Sequence, residues 1–241
     1  MRKYSIIIYL SLWLIILTFG GFSQRNENQL IVLNTKTKYQ TWVDENGHHL
    51  VLLSDYINPV YFALPYGSKE NFTGKKLYRK HSFWVLDEAA ARLKLVQDSL
   101  ESMGLSLYFF DTYRPWSVTS KMWKIVPDER YAANPANGSG HNRGVAVDVS
   151  LANLQTGEPL PMPTSYDNFT DTAHHSFTDL PEKILQNRAT LKAIMEHFGF
   201  RALSTEWWHY SLPEGSKYPV LDLKFKQLRK IIPAQKEKAM P

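Results

Sequence analysis

Between Leu86 and Met103 apolar side chains fall at Leu86, Ala89, Ala90, Leu93, Val96, Leu100 and Met103, the three-and-four spacing of one helix face, and Gly104 stands where such a helix stops. The stretch from Leu105 to Asp111 is short and rich in β-formers. It runs into Asp111-Thr112-Tyr113-Arg114-Pro115, whose proline marks a turn, and so reads as a buried strand that carries Arg114 to its end. Helical spacing returns from Trp116 to Ile125. It returns again from Glu182 to Phe198, where Ile184, Leu185, Arg188, Leu191, Ile194, Met195 and Phe198 share a face before Gly199. Between these helices, Val145, Val147 and Val149 alternate with Ala146, Asp148 and Ser150 from Gly144 to Leu151. That is the period of a strand with its valines on one face and Asp148 on the other. A last strand-like stretch surrounds Glu206 to Leu212. Helices and short strands without a regular βαβ rhythm predict an α+β fold: one compact domain with a small, mainly antiparallel sheet packed with helices.

Composition changes this picture in four places. The chain has 241 residues, 44% of them apolar, and shows no repeat or low-complexity linker, so residues 24–241 read as one domain with a real core. Residues 1–23 follow a secretory plan: Arg2 and Lys3, an apolar run from Ile6 to Leu17, then Gly20, Gly21 and Ser23. Cleavage after Ser23 is expected to leave an exported, periplasmic protein. The alternative is a retained membrane tether, because Phe19 and Phe22 extend the run towards the roughly 18 residues of a spanning helix. Without cysteine there is no disulfide, no thiolate and no lipid-bearing thiol, so any metal must be held by nitrogen and oxygen. The net charge of +5, or +3 without Arg2 and Lys3, comes partly from Lys224, Lys226, Arg229, Lys230, Lys236 and Lys238 near the C-terminus. No recognition motif accompanies them, which argues against a nucleic-acid partner.

Two constellations carry candidate chemistry. In Ser139-Gly140-His141-Asn142-Arg143-Gly144-Val145-Ala146-Val147-Asp148 a histidine precedes an aspartate by seven residues. On one regular strand that odd spacing would send the two side chains to opposite faces, so His141 is expected in the loop, with the flanking glycines relaxing its backbone. An inward-facing aspartate needs a partner. From spacing alone, a structural carboxylate beside an ordinary loop histidine remains an open alternative. In Glu206-Trp207-Trp208-His209-Tyr210 an acid and a histidine stand three apart among aromatics, and both can reach one site only where a strand bulges or ends. An aromatic core strand is the alternative there. Taken together, two histidines and a carboxylate would leave a fourth position open on zinc, the arrangement of a hydrolytic site whose water has a pKa near 7.

These segments, with Asn71-Phe72-Thr73-Gly74, Asp111 to Pro115, Thr156-Gly157-Glu158, Pro161-Met162 and His174-His175 in the same order, resemble the D-alanyl-D-alanine dipeptidases of the vancomycin-resistance VanX type. These belong to a wider lysostaphin, D-alanyl-D-alanine peptidase and hedgehog zinc group. The resemblance runs from about Tyr56 to Phe225. It implies one zinc ion held by His141, Asp148 and His209, with Glu206 as base and Arg114 steadying the transition state. It further implies Ser139, Tyr66 and Asp167 as substrate contacts, the carboxylate meeting the dipeptide's ammonium. His174 and His175 are expected to be framework, and Trp207 and Trp208 to pack and shape the site. Gly140 stands where the resemblance leads one to expect serine. The implied function is hydrolysis of a small D,D-dipeptide in cell-wall turnover. A D,D-carboxypeptidase or endopeptidase acting on peptidoglycan, and a non-catalytic zinc module that binds cell-wall peptides, are the rivals. Nothing in the residues fixes the oligomeric state.

Overall fold

The computed structural model describes residues 30–78 and 82–231; the expected leader, His81 and the end of the basic tail lie outside the described residues. In chain order the elements are β1 (Val32–Leu33), α1 (Lys36–Asn46), β2 (Leu50–Leu52), β3 (Tyr61–Phe62), β4 (Trp84–Leu86), α2 (Asp87–Glu101), β5 (Leu105–Asp111), α3 (Trp116–Ile125), β6 (Ala146–Asn153), α4 (Glu182–His197), β7 (Arg201–Ala202), β8 (His209–Ser211) and β9 (Val220–Leu221). The predicted helices appear at their expected places, while the last strand is shorter than the sequence suggested.

α2 begins with Asp87 and Glu88, whose charges complement the helix N-terminus, and buries Ala89, Ala90, Leu93, Val96 and Leu100. Its buried polar residue, Gln97, bonds outward: its Oε1 accepts from the Leu107 amide at 3.0 Å and its Nε2 donates to Ser106 Oγ at 3.0 Å, tying the helix to β5. A five-stranded sheet runs in the order β3-β5-β6-β8-β7. Only the β3–β5 pair is parallel; β5–β6, β6–β8 and β7–β8 are antiparallel. Val145, Val147, Val149 and Leu151 join the core beneath α2 and α4 with Leu107, Phe109, Leu191 and Met195. A second core cluster, around Tyr39, Trp84, Tyr113, Met122 and Leu228, closes the other flank. Both faces of β6 are therefore buried, the valines and Leu151 on one and Ala146, Asp148, Ser150 and Ala152 on the other. Among the described residues no helix is long and apolar enough to cross a membrane.

Candidate metal centre

Asp111, Asp148 and His209 form a row across three strands. Asp148 of β6 is directly opposite Asp111 of β5 and His209 of β8. Residues opposite each other in antiparallel pairs project to the same face, here the one away from the valines. The row exists because β5 is irregular: between Phe109 and Asp111 the register shifts, two residues against one, which turns Asp111 to the site. Facing carboxylates would repel, but Arg114 answers both. Its Nε donates to Asp111 Oδ2 at 2.7 Å and an Nη lies 3.8 Å from Asp148 Oδ2.

His141 comes from outside the sheet. It begins a short 3-10 turn, His141–Arg143, that ends at Gly144 with φ 72°, where a side chain would also drive into Leu50. The turn is sewn to the end of β5 in three places. The Arg114 amide donates to the His141 carbonyl at 3.0 Å, and Asn142 Nδ2 donates to the Arg114 carbonyl at 2.8 Å. His141 Nδ1 lies 2.7 Å from the Thr112 carbonyl. A carbonyl only accepts, so Nδ1 carries the proton and Nε2 presents a bare lone pair. Gly140 corrects one expectation. Its φ of −58° is ordinary, and its role is space: a Cβ there would sit 2.8 Å from the Ala146 Cβ, leaving no room for a serine.

Three potential ligand atoms thus converge. His141 Nε2 is 3.2 Å from His209 Nδ1 and 3.3 Å from Asp148 Oδ1, and His209 Nδ1 is 2.9 Å from Asp148 Oδ1. Lone pairs this close repel one another unless a proton or a cation lies among them. Ligands of a tetrahedral zinc site are about 3.3–3.5 Å apart for bonds of about 2.0–2.2 Å, so the donor set fits such an ion with small adjustments. This trio is the one group of three or more such side chains, among the described residues, with ligand atoms all within 4.8 Å of one another. Burial alone would raise the Asp148 carboxyl, but His141 and His209 outweigh it and hold it well below the usual carboxylate range. For His209 burial acts the other way, and the bond to Asp148 raises its affinity for positive charge.

The trio lies in a cavity of about 290 Å³, at the small end for ligand sites. Glu206, Arg114, Ser139, Tyr66 and Asp167 line the same space, so every site residue singled out from the sequence is brought together. Glu206 is in a turn just before β8, where the His209 amide donates to its carbonyl at 3.3 Å; the strand ends between them, which lets both face the cavity. Burial raises the Glu206 carboxyl, with His209 opposing and Asp148 reinforcing. Asp167 is pushed well above the usual range by burial and by Asp148. Its Oδ1 accepts from the Tyr66 hydroxyl at 3.1 Å, its Oδ2 is buried without a hydrogen-bond partner among the described residues, and its φ of 60° is left-handed. Ser139 Oγ accepts from the Asn142 amide at 3.3 Å.

The sequence model of the D-ala-D-ala dipeptidases of peptidase family M15 matches residues 46–230. The chain belongs to this family. It is 33% identical to the D-alanyl-D-alanine dipeptidase of Escherichia coli (strain K12) over 158 residues, 66% of this chain and 81% of the relative. Identity to the enzyme of that name from Enterococcus faecium is 32% over 187 residues, 69% and 92% of the two chains. The corresponding Streptomyces coelicolor (strain ATCC BAA-471 / A3(2) / M145) protein is 30% identical over 182 residues, 67% and 90%.

Members of this peptidase family are metallopeptidases, and the His–Asp–His group is where a metal fits this chain. His174 and His175 do not join it. The His174 carbonyl instead accepts from Arg188, and the His175 amide donates to the Ser204 carbonyl. Trp207 and Trp208 are almost fully buried; Trp207 donates to Thr164 Oγ1 and Trp208 packs on Tyr166 and Phe169. Sequence reasoning missed Tyr166, whose hydroxyl donates to Asp148 Oδ2 at 2.8 Å, and it missed Asp111 and the Thr112 carbonyl as supports of Arg114 and His141. A backbone carbonyl leaves no trace in residue type.

Proposed function

We propose that the protein hydrolyses D-alanyl-D-alanine with one zinc ion held by His141, Asp148 and His209. The observation that carries this reading is the convergence of His141 Nε2, Asp148 Oδ1 and His209 Nδ1 in a small cavity that Glu206 and Arg114 also line. When bound, zinc supplies Lewis acidity, polarising a carbonyl and making water acidic enough to react near neutral pH. Thr112 keeps His141 in the tautomer that offers Nε2. Glu206, raised by burial, accepts the proton of the attacking water and returns it to the departing amine. Arg114, pinned by Asp111, holds a fixed positive charge for the oxygen of the scissile carbonyl. Asp167, with Tyr66 on one oxygen and the other free, suits the ammonium of a free dipeptide, and Ser139 a polar contact at the other wall. The relatives' shared name, D-alanyl-D-alanine dipeptidase, supports the substrate. The apolar run from Ile6 to Leu17 supports action outside the cytoplasm, on dipeptide released in wall turnover.

One feature favours the rival D,D-carboxypeptidase reading. A wider cavity of about 650 Å³, walled by Phe72, Phe110 and Glu70, adjoins the site across Tyr166 and Asp167 and could take a longer peptide. The test is release of D-alanine from D-alanyl-D-alanine and from a muropeptide ending in it, by metal-stripped protein before and after zinc is restored. The proposal expects zinc-dependent release mainly from the free dipeptide. Preference for the muropeptide would reverse the ranking, and turnover without metal would remove the mechanism.

A further inference from the structure

We infer that Tyr166 is a positioning residue that fixes the ligating carboxylate of Asp148 and joins it to the Tyr66–Asp167 end of the cavity; this rests on the zinc dipeptidase reading above. Asp148 Oδ1 faces the imidazoles, so the angle of its carboxylate depends on what holds Oδ2. Among the described residues the one hydrogen bond to Oδ2 comes from the Tyr166 hydroxyl at 2.8 Å, since the Arg114 contact at 3.8 Å is too long to be one. The phenol is itself held firmly. Its ring stacks on Phe110 at 4.6 Å and 15°, and meets Trp208 edge-on at 5.5 Å and Tyr66 at 5.9 Å. Consecutive residues of an extended chain point to opposite sides, yet Tyr166 and Asp167 both line this cavity. The left-handed backbone of Asp167 accompanies that placement.

The hydrogen bonds continue. The Tyr166 and Tyr66 oxygens are 3.0 Å apart, and the Tyr66 hydroxyl is 3.1 Å from Asp167 Oδ1. Each phenol has one proton to give. Tyr166 gives its proton to the Asp148 carboxylate, the stronger and nearer acceptor, and is left to accept from Tyr66. Tyr66 must then choose between Tyr166 and Asp167. A cationic group at Asp167 therefore alters the bonding one step from a metal ligand, and Tyr166 is the link.

Tyr166→Phe tests this, because it keeps the stacked ring and removes only the hydroxyl. Zinc affinity would be read by competition with a chromophoric chelator, and ligand geometry by the visible absorption of the cobalt(II)-loaded protein. The expected result is at least about a tenfold loss of zinc affinity, the scale for removing a partner of a metal ligand, with a changed cobalt spectrum. Tyr66→Phe, one link further out, is expected to keep zinc affinity within about twofold while raising KM for the dipeptide. Unchanged zinc affinity and cobalt spectrum in Tyr166→Phe would overturn the inference alone. Equal losses of affinity in both variants would also overturn it, by pointing to general loosening. A wild-type chain without zinc affinity would sink the reading of the site itself and the inference with it.

Discussion

Glu206 shares its cavity with Asp148 and Asp167, and the three carboxylates are driven apart in proton affinity by what surrounds them. Histidines hold Asp148 ionised, whereas burial raises Glu206 and Asp167. A base acts when unprotonated, so activity should rise with pH through a Glu206 pKa that lies above the ordinary glutamate value. The acid limb of the kcat/KM profile is accordingly expected at higher pH than for an unperturbed carboxylate. Glu206→Gln keeps the shape and loses the base; kcat should fall about 10²–10⁴-fold with zinc still bound. Metal analysis beside steady-state rates checks this, and retained kcat would dismiss Glu206 from the role. At this scale His141, Asp148, Glu206 and His209 could be read from the sequence as candidates, but their roles came from the family resemblance, because spacing alone left structural alternatives open. Tyr166 could not, since a tyrosine among thirteen has the same letter whether it fills a core or holds a ligand.

At the level of elements, the deciding arrangement is the register of β5, β6 and β8, which aligns Asp111, Asp148 and His209. Valine alternation revealed which way Asp148 points, but the bulge that admits Asp111 depends on pairing between distant segments and has no local signal. The same holds for Gly140, whose small size matters only because Ala146 returns against it. Gly140→Ser is therefore expected to cost about 1–3 kcal/mol, as overpacking does in a tight site, and Ala146→Gly in the same chain should recover part of it; urea unfolding measures both. The segment before α4 has its own sensitivity. His175 is beside the Tyr210 ring of β8, its Nε2 is buried without a hydrogen-bond partner among the described residues, and burial with Lys192 and Arg188 nearby lowers its pKa to about 4. In the unfolded chain the value returns to 6.5, so between those limits the unfolded state binds more protons. The stability from a neutral His175 is present above the upper limit and is lost as pH falls through the lower one. The unfolding midpoint should drop over that interval, and less steeply in His175→Phe; parallel slopes would contradict the assignment.

For the molecule as a whole, the trio spans the chain: His141 from a loop, Asp148 from the middle of the sheet and His209 from its far half, the two histidines being 68 positions apart. The α+β architecture followed from periodicity, whereas the parallel β3–β5 pair did not, because a two-residue strand carries no pattern to read. Ligands so scattered come together only in the folded state, so an ion that they bind must favour folding over unfolding. At a free zinc concentration about 100-fold above Kd the linkage amounts to about 2.7 kcal/mol. For a chain of this length each kcal/mol moves the midpoint by about 2–4 °C, which gives a rise of roughly 5–11 °C on adding zinc to stripped protein. His209→Ala removes one of three donors and should abolish most of that rise while altering the metal-free midpoint far less. A full zinc-induced rise in the variant would mean that the stabilising ion binds elsewhere, and the metal centre described here would then have to be abandoned.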